Sequence, residues 1–237
     1  MTIKKSPKLA LALDNISERE RIATLIGATS QWIQVYKIGL EQFVRFGPPI
    51  LDLVRSAGKE IFLDLKLHDI PNTVAKAVHS AVDLGVEYLT IHTLGGSAMM
   101  KAAVAAKNEH PLAVTAIIGV TLLTSIGEGA LRRELAVDLS PEIYVRKLAQ
   151  LAVKSEINGI VCSAADLSAV TPVLPAGFEV ITPGIRPAGS DVHDQKRVAT
   201  PGQAAQDGAT VLVIGRAVTG ADNPGHAAES IFNDVNS

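Results

Sequence analysis

The sequence predicts an α/β chain folded as a (β/α)8 TIM barrel, and three observations carry that expectation. Short apolar runs rich in β-branched residues alternate with amphipathic stretches of helical period, as in parallel strands joined by crossover helices. There are about eight such units, in a chain of the length this closed architecture commonly takes. Nearly every run also ends, on its carboxyl side, in a polar residue. A barrel gathers those ends on one face, where active sites are built.

The strands are expected at Lys8–Asp14, Gln34–Gly39, Glu60–Lys66 and Tyr88–Thr93, then at Leu112–Thr121, Gly159–Ser163, Glu179–Gly184 and Val211–Arg216. Between them, Glu18–Ala28, Asn72–Leu84, Ser97–Lys107 and Pro141–Glu156 space their apolar residues as a helix with one buried face requires. An open doubly wound sheet is the structural rival. The first strand-to-helix turn, "LALDNISERE", lacks the glycine fingerprint of dinucleotide-binding sheets, which weakens it. No linker or break in composition divides the chain, so residues 1–237 are read as a single domain.

Composition narrows the function. Hydrophobic residues make up 47% and charged residues 19%, which suits a packed globular chain and not a disordered one. A net charge of −2 with no basic stripe gives no electrostatic case for nucleic acid. The lone Cys162 excludes an internal disulfide and a cysteine metal cluster, and is read as a buried small residue. His79, His110, His193 and His226 show no metal-ligand spacing. The apolar run Leu9 to Leu13 stops at Asp14, too short for a secretion signal, and no segment reaches the length of a membrane span. The cytoplasm is the expected compartment, with no membrane partner.

The polar strand ends are Asp14, Lys37, Asp64 with Lys66, His92, Thr121 with Thr124, Ser163, Pro183 and Arg216. The densest stretch is "FLDLKLHDIPNTV". Strand side chains alternate, so Asp64 and Lys66 face the barrel interior near its mouth while Leu63, Leu65 and Leu67 pack beneath the helices. Buried charges are costly unless paired or used. The pair is therefore either a structural seal or chemistry, and spacing alone leaves both open. Asp69 has the opposite parity and, just ahead of Pro71, also reads as a carboxylate at a helix start. A lysine fenced by acids keeps its proton, which suits donation to a developing carbanion better than nucleophilic attack. "PGIRPAG" and "IGRAVTG" follow the seventh and eighth strands, where barrels often bind phosphate; glycine amides with Arg186 or Arg216 would grip it. The Gly- and Pro-rich segment Pro183–Pro201 is expected to act as a lid.

"ALD" at Asp14, "YKIG" at Lys37, "FLDLKLHDIPNTV", "VTLLTS", "TPGIRP", "HDQKR" and "VIGRAVT" run in order along essentially the whole chain. Together they resemble the orotidine 5'-monophosphate decarboxylase family in its bacterial form. That resemblance implies a cofactor-free, metal-free reaction in which Lys66 protonates C6 of the pyrimidine as carbon dioxide leaves, with Asp64 against the substrate carboxylate. Lys37 and Asp69 would complete an alternating charge array. Asp69, with Ile70 and Thr73, would come from the neighbouring subunit of a homodimer, Thr73 touching the ribose. Asp14 would bind a ribose hydroxyl, Thr124 the pyrimidine amide, and Pro183 would line the carboxylate side. Arg186, Arg216 and the Gly215 backbone would hold phosphate, and Gln195 would bridge from phosphate toward the base.

The nearest rival is a metal-dependent sugar-phosphate decarboxylase or aldolase of the same barrel superfamily. Those relatives place a glutamate where Lys37 stands, and Thr124 with Gln195 suits a pyrimidine better. A silent nucleotide-binding or scaffolding barrel is the rival of another class, and intact Asp64 and Lys66 argue against it. His68 and His92 are read as orienting or packing residues near the site, and Trp32 and Tyr36 as packing.

Overall fold

The computed structural model describes residues 6–110, 114–186 and 199–236. Eight strands, β1 (Lys8–Ala12), β2 (Val35–Gly39), β3 (Glu60–Leu67), β4 (Tyr88–His92), β5 (Ala116–Val120), β6 (Gly159–Val161), β7 (Glu179–Thr182) and β8 (Val211–Ile214), close a barrel in chain order. All neighbours are parallel, and β1 pairs β8 to shut the ring. The expected α/β barrel is the observed one. Helices Arg19–Thr29, Pro71–Asp83, Gly96–Asn108 and Pro141–Lys154 fall within two residues of their expected bounds. Strands are mostly shorter than the sequence suggests, because their polar ends turn into loops instead of continuing the ladder.

Alternation along β1 explains the layering. Leu9 and Leu11 face outward into the belt between strands and helices, with Tyr36, Ile38, Leu63, Leu89 and Ile91 from neighbouring strands. Ala10 and Ala12 face inward, where Val35, Phe62, Tyr88, Ile118, Ile181, Val211 and Val213 fill the barrel. Burying a Leu, Ile or Val contributes about 1.5–3 kcal/mol. The outer belt therefore supplies the larger share of stability, and the interior can carry charge at its two ends. Tyr36 packs outward as read; Thr29 and the Ile26 carbonyl meet its hydroxyl, and burial pushes its pKa up to about 12.

One strand is irregular. Leu63 pairs Leu89 and Leu67 pairs Ile91, so four steps of β3 oppose two of β4. Within this bulge Lys66 takes φ 51°, in the left-handed region. The expected alternation survives in outcome: Leu63 is buried in the outer belt and Leu65 and Leu67 pack against it. At the far end of the cleft, Ile185 forms an isolated bridge with Ala199, joining the two ends of the expected lid; its residues 187–198 lie outside the described residues.

Candidate active site

The carboxyl end of the barrel brings four charged side chains into one chain of contacts. Lys37 Nζ donates to both oxygens of Asp14 at 2.9 Å and lies 3.4 Å from Asp64 Oδ2. Lys66 Nζ donates to that same Asp64 oxygen at 2.7 Å. The order is Asp14, Lys37, Asp64, Lys66, alternating in sign and summing to zero formal charge. Burial works against charge on Asp64, yet Lys37 and Lys66, aided by hydrogen bonds from Lys66 and Thr90, hold its carboxyl below the ordinary value. Burial likewise opposes the Lys37 ammonium, but Asp64 and Asp14 outweigh it and raise its pKa. Gly39 makes room for this packing: a Cβ there would stand 2.7 Å from Asp14 Oδ1.

Two cavity lobes meet over the array, sharing Asp14, Lys37, Pro183 and Val213. One, of about 230 Å³, has Asp64, Lys66, Thr124 and Ser163 as polar groups between apolar walls that include Phe62, Val120, Leu122 and Ile181. This lobe suits a flat ring with a polar edge. The other, of about 310 Å³, is edged by Arg186, Gly215, Arg216 and Thr219, with Gly184 at φ 80°. Glycine adopts that backbone more readily than any other residue. Among the described residues, no group of three or more His, Cys, Asp or Glu is placed to hold a metal ion.

Residues 7–231 match the profile of the Orotidine 5'-phosphate decarboxylase / HUMPS family. A curated orotidine 5'-phosphate decarboxylase of Pseudoalteromonas translucida is 42% identical over 236 residues, covering 100% of this chain and 98% of that protein. The enzyme of the same name from Thermosynechococcus vestitus is 45% identical over 228 residues, covering 96% and 95%. The crystal structure of orotidine 5'-phosphate decarboxylase from Lactobacillus acidophilus superposes with a TM-score of 0.85 at 32% identity, covering 98% of this chain and all of that one. The chain belongs to this family.

Of the residues that the decarboxylase family resemblance singles out, the structure brings Asp14, Lys37, Asp64, Lys66, Thr124 and Pro183 to the smaller lobe and its border, and Arg186, Gly215 and Arg216 to the larger. Asp69, Ile70 and Thr73 are exposed beyond β3 and line neither lobe. Asp69 Oδ1 accepts the Ile70 amide at 2.7 Å, immediately before the helix that Pro71 opens, and makes no capping bond to that helix. Gln195 lies outside the described residues.

His68 and His92 pack ring to ring at 5.3 Å beside the array; burial, His68 and Lys66 lower the pKa of His92. Cys162 is buried as expected, and burial pushes its thiol far up. It also helps line the smaller lobe. Sequence reasoning did not single out that lobe's apolar wall. The available signal was parity: Phe62 shares the inward side with Asp64. Nor did it single out Thr90, a polar residue inside an otherwise apolar strand.

Proposed function

We infer that this chain decarboxylates orotidine 5'-monophosphate to uridine 5'-monophosphate in de novo pyrimidine biosynthesis. The observation that carries the reading is the array itself: a carboxylate clamped by two ammonium groups beneath a ring-sized lobe, next to a lobe edged by arginines and glycine backbone. Phosphate binds at Arg186, Arg216 and Gly215, the ribose at Asp14 and Lys37, and the pyrimidine edge at Thr124, with Pro183 on the carboxylate side. Gln195 bridges phosphate and base on the strength of the resemblance alone.

In this pose the substrate carboxylate comes against Asp64. Two like charges about 4 Å apart repel by roughly 4 kcal/mol at an effective dielectric near 20. Breaking the bond from C6 to the carboxylate carbon releases carbon dioxide and leaves the electron pair in the ring plane, where the π system delocalises it poorly. Local charge must stabilise that pair. Lys66 supplies it, then transfers a proton from Nζ to C6 and regains one from solvent. The route uses no metal or organic cofactor. A metal-dependent sugar-phosphate reaction fits less well, because Lys37 occupies Asp14 and Asp64, the carboxylates a cation would need.

Asp69, Ile70 and Thr73 act in the site of a neighbouring subunit in a homodimer. Supporting this, Ile70 is 66% exposed, and Leu40 and Leu94, each just beyond a strand's carboxyl end, are exposed apolar residues too. No helix among the described residues is long and apolar enough to cross a membrane. A single buried thiol suits the reducing cytoplasm, where we place the reaction.

An ultraviolet assay of the purified chain tests the activity: orotidine 5'-monophosphate is consumed without added metal, at a rate chelator does not change. A chain that leaves the substrate intact ends the proposal. The shared site predicts that mixing inactive Asp69→Asn and Lys66→Ala dimers restores activity through hybrid sites. Confirmed subunit exchange with no recovery refutes it.

A further inference from the structure

At the bulge, Asp64, Leu65 and Lys66 together oppose one β4 residue, Thr90, because Leu63 pairs Leu89 and Leu67 pairs Ile91. Thr90 is fully buried. Its Oγ1 accepts the Lys66 backbone N–H at 2.8 Å and donates to Asp64 Oδ1 at 2.9 Å. A hydroxyl has one proton and two lone pairs, so the two bonds are compatible. Asp64 Oδ2 already meets both lysines, and Thr90 occupies the carboxylate's other oxygen.

The slip in register deprives the Lys66 amide of a regular ladder partner, and a side-chain oxygen takes that place. A lysine at φ 51° is held there only by its surroundings. The same hydroxyl thus touches the strained backbone of the proton donor and the carboxylate that the donor must face.

We propose that Thr90 is a positioning residue for the decarboxylation: through one hydroxyl it locks the Lys66 backbone and the Asp64 carboxylate to each other. It acts without touching substrate. Valine would fill the same volume and deprive both groups of this partner.

The test uses two pairs of residues that differ chiefly in the hydroxyl: the parent against Thr90→Val, and Thr90→Ser against Thr90→Ala. Loss of the hydroxyl lowers kcat by about 10- to 100-fold, the scale of a misplaced reacting group. KM for orotidine 5'-monophosphate changes by less than about threefold, since substrate binding is not what is lost. Serine restores most of the rate. A Thr90→Val enzyme with parental kcat, or a Thr90→Ser enzyme as slow as Thr90→Ala, overturns the proposal. Should valine prevent folding, the serine and alanine pair decides alone.

The kinetic arm rests on the decarboxylase reading, but a second arm does not. In crystals of Thr90→Val or Thr90→Ala, Lys66 should leave the left-handed region or its Nζ should part from Asp64. An unchanged backbone and ion pair refutes the positioning role whatever the reaction. A parent chain inert toward the nucleotide sinks the activity reading and leaves this arm intact.

Discussion

Lys8 meets Glu60 at the amino end of the barrel interior, and Lys66 meets Asp64 at the carboxyl end; as charges in a sequence the two pairs look alike. A hollow adjoins each, of about 190 Å³ and about 230 Å³ respectively, so a cavity does not separate them either. Proton accounting does. Lys8 Nζ donates to both Glu60 oxygens at 2.8 and 2.7 Å and to the Tyr88 hydroxyl at 3.1 Å, which uses all three of its protons. Among the described residues, Lys66 Nζ donates once, to an oxygen that Lys37 also approaches. One lysine spends its protons on protein partners and the other has protons to give. An ion pair marks a candidate site when its hydrogen bonds are left incomplete.

The sharpest way to break this contrast is Lys66→Ala. Its kcat should fall by about 10³-fold or more in the ultraviolet assay; near-parental turnover would show that the spare protons are idle. Next in size is the pair Asp64→Asn and Glu60→Gln, compared by urea denaturation. Asp64→Asn leaves Lys66 beside a neutral amide and Lys37 with Asp14 alone, and should cost about 3 kcal/mol. Glu60→Gln, at a pair about one-third exposed, should cost no more than about 1 kcal/mol and spare the activity. Equal losses would mean that the two ends are energetically alike.

The smallest effect separates the ends by pH. Asp64 is held below the usual 3.8, so its stabilisation is complete above that value and fades as pH falls through the depressed one. The gap between parent and Asp64→Asn should therefore close in acid. Burial opposes the Lys8 charge, but hydrogen bonds from its ammonium to Glu60 and Tyr88 lift its pKa above 10.5. Its stabilisation is complete below 10.5 and fades as pH rises through the raised value, so the gap to Lys8→Met should close in alkali. Gaps that persist at both extremes would contradict these charge states.

The barrel was legible because its signals are local. Leu9 and Leu11 set the outer face of β1 by alternation, and apolar spacing set the helices. The placement of Asp14, Lys37 and Asp64 followed from the strand-end rule, which needs only the fold. Two kinds of information were not local. The contact between Asp14 and Lys37, 23 residues apart, depends on how neighbouring strands are staggered around the ring. The bulge depends on a mismatch between β3 and β4 that neither segment displays alone, so Thr90 looked like an ordinary strand threonine. Exposed Ile70 illustrates a third limit: the role proposed for it calls on a second copy of the chain, which one sequence does not display.

The slipped register also says something about how such a catalyst could be gained. Excising Leu65 and Lys66 from the pairing would set Asp64 opposite Thr90 and leave Leu63 and Leu67 with their present partners, Leu89 and Ile91. The outer hydrophobic belt would lose Leu65 alone, and the ladder would be more regular. In topological terms Leu65 and Lys66 are two extra residues on one strand, carried by a sheet whose pairs on either side of them stay in register.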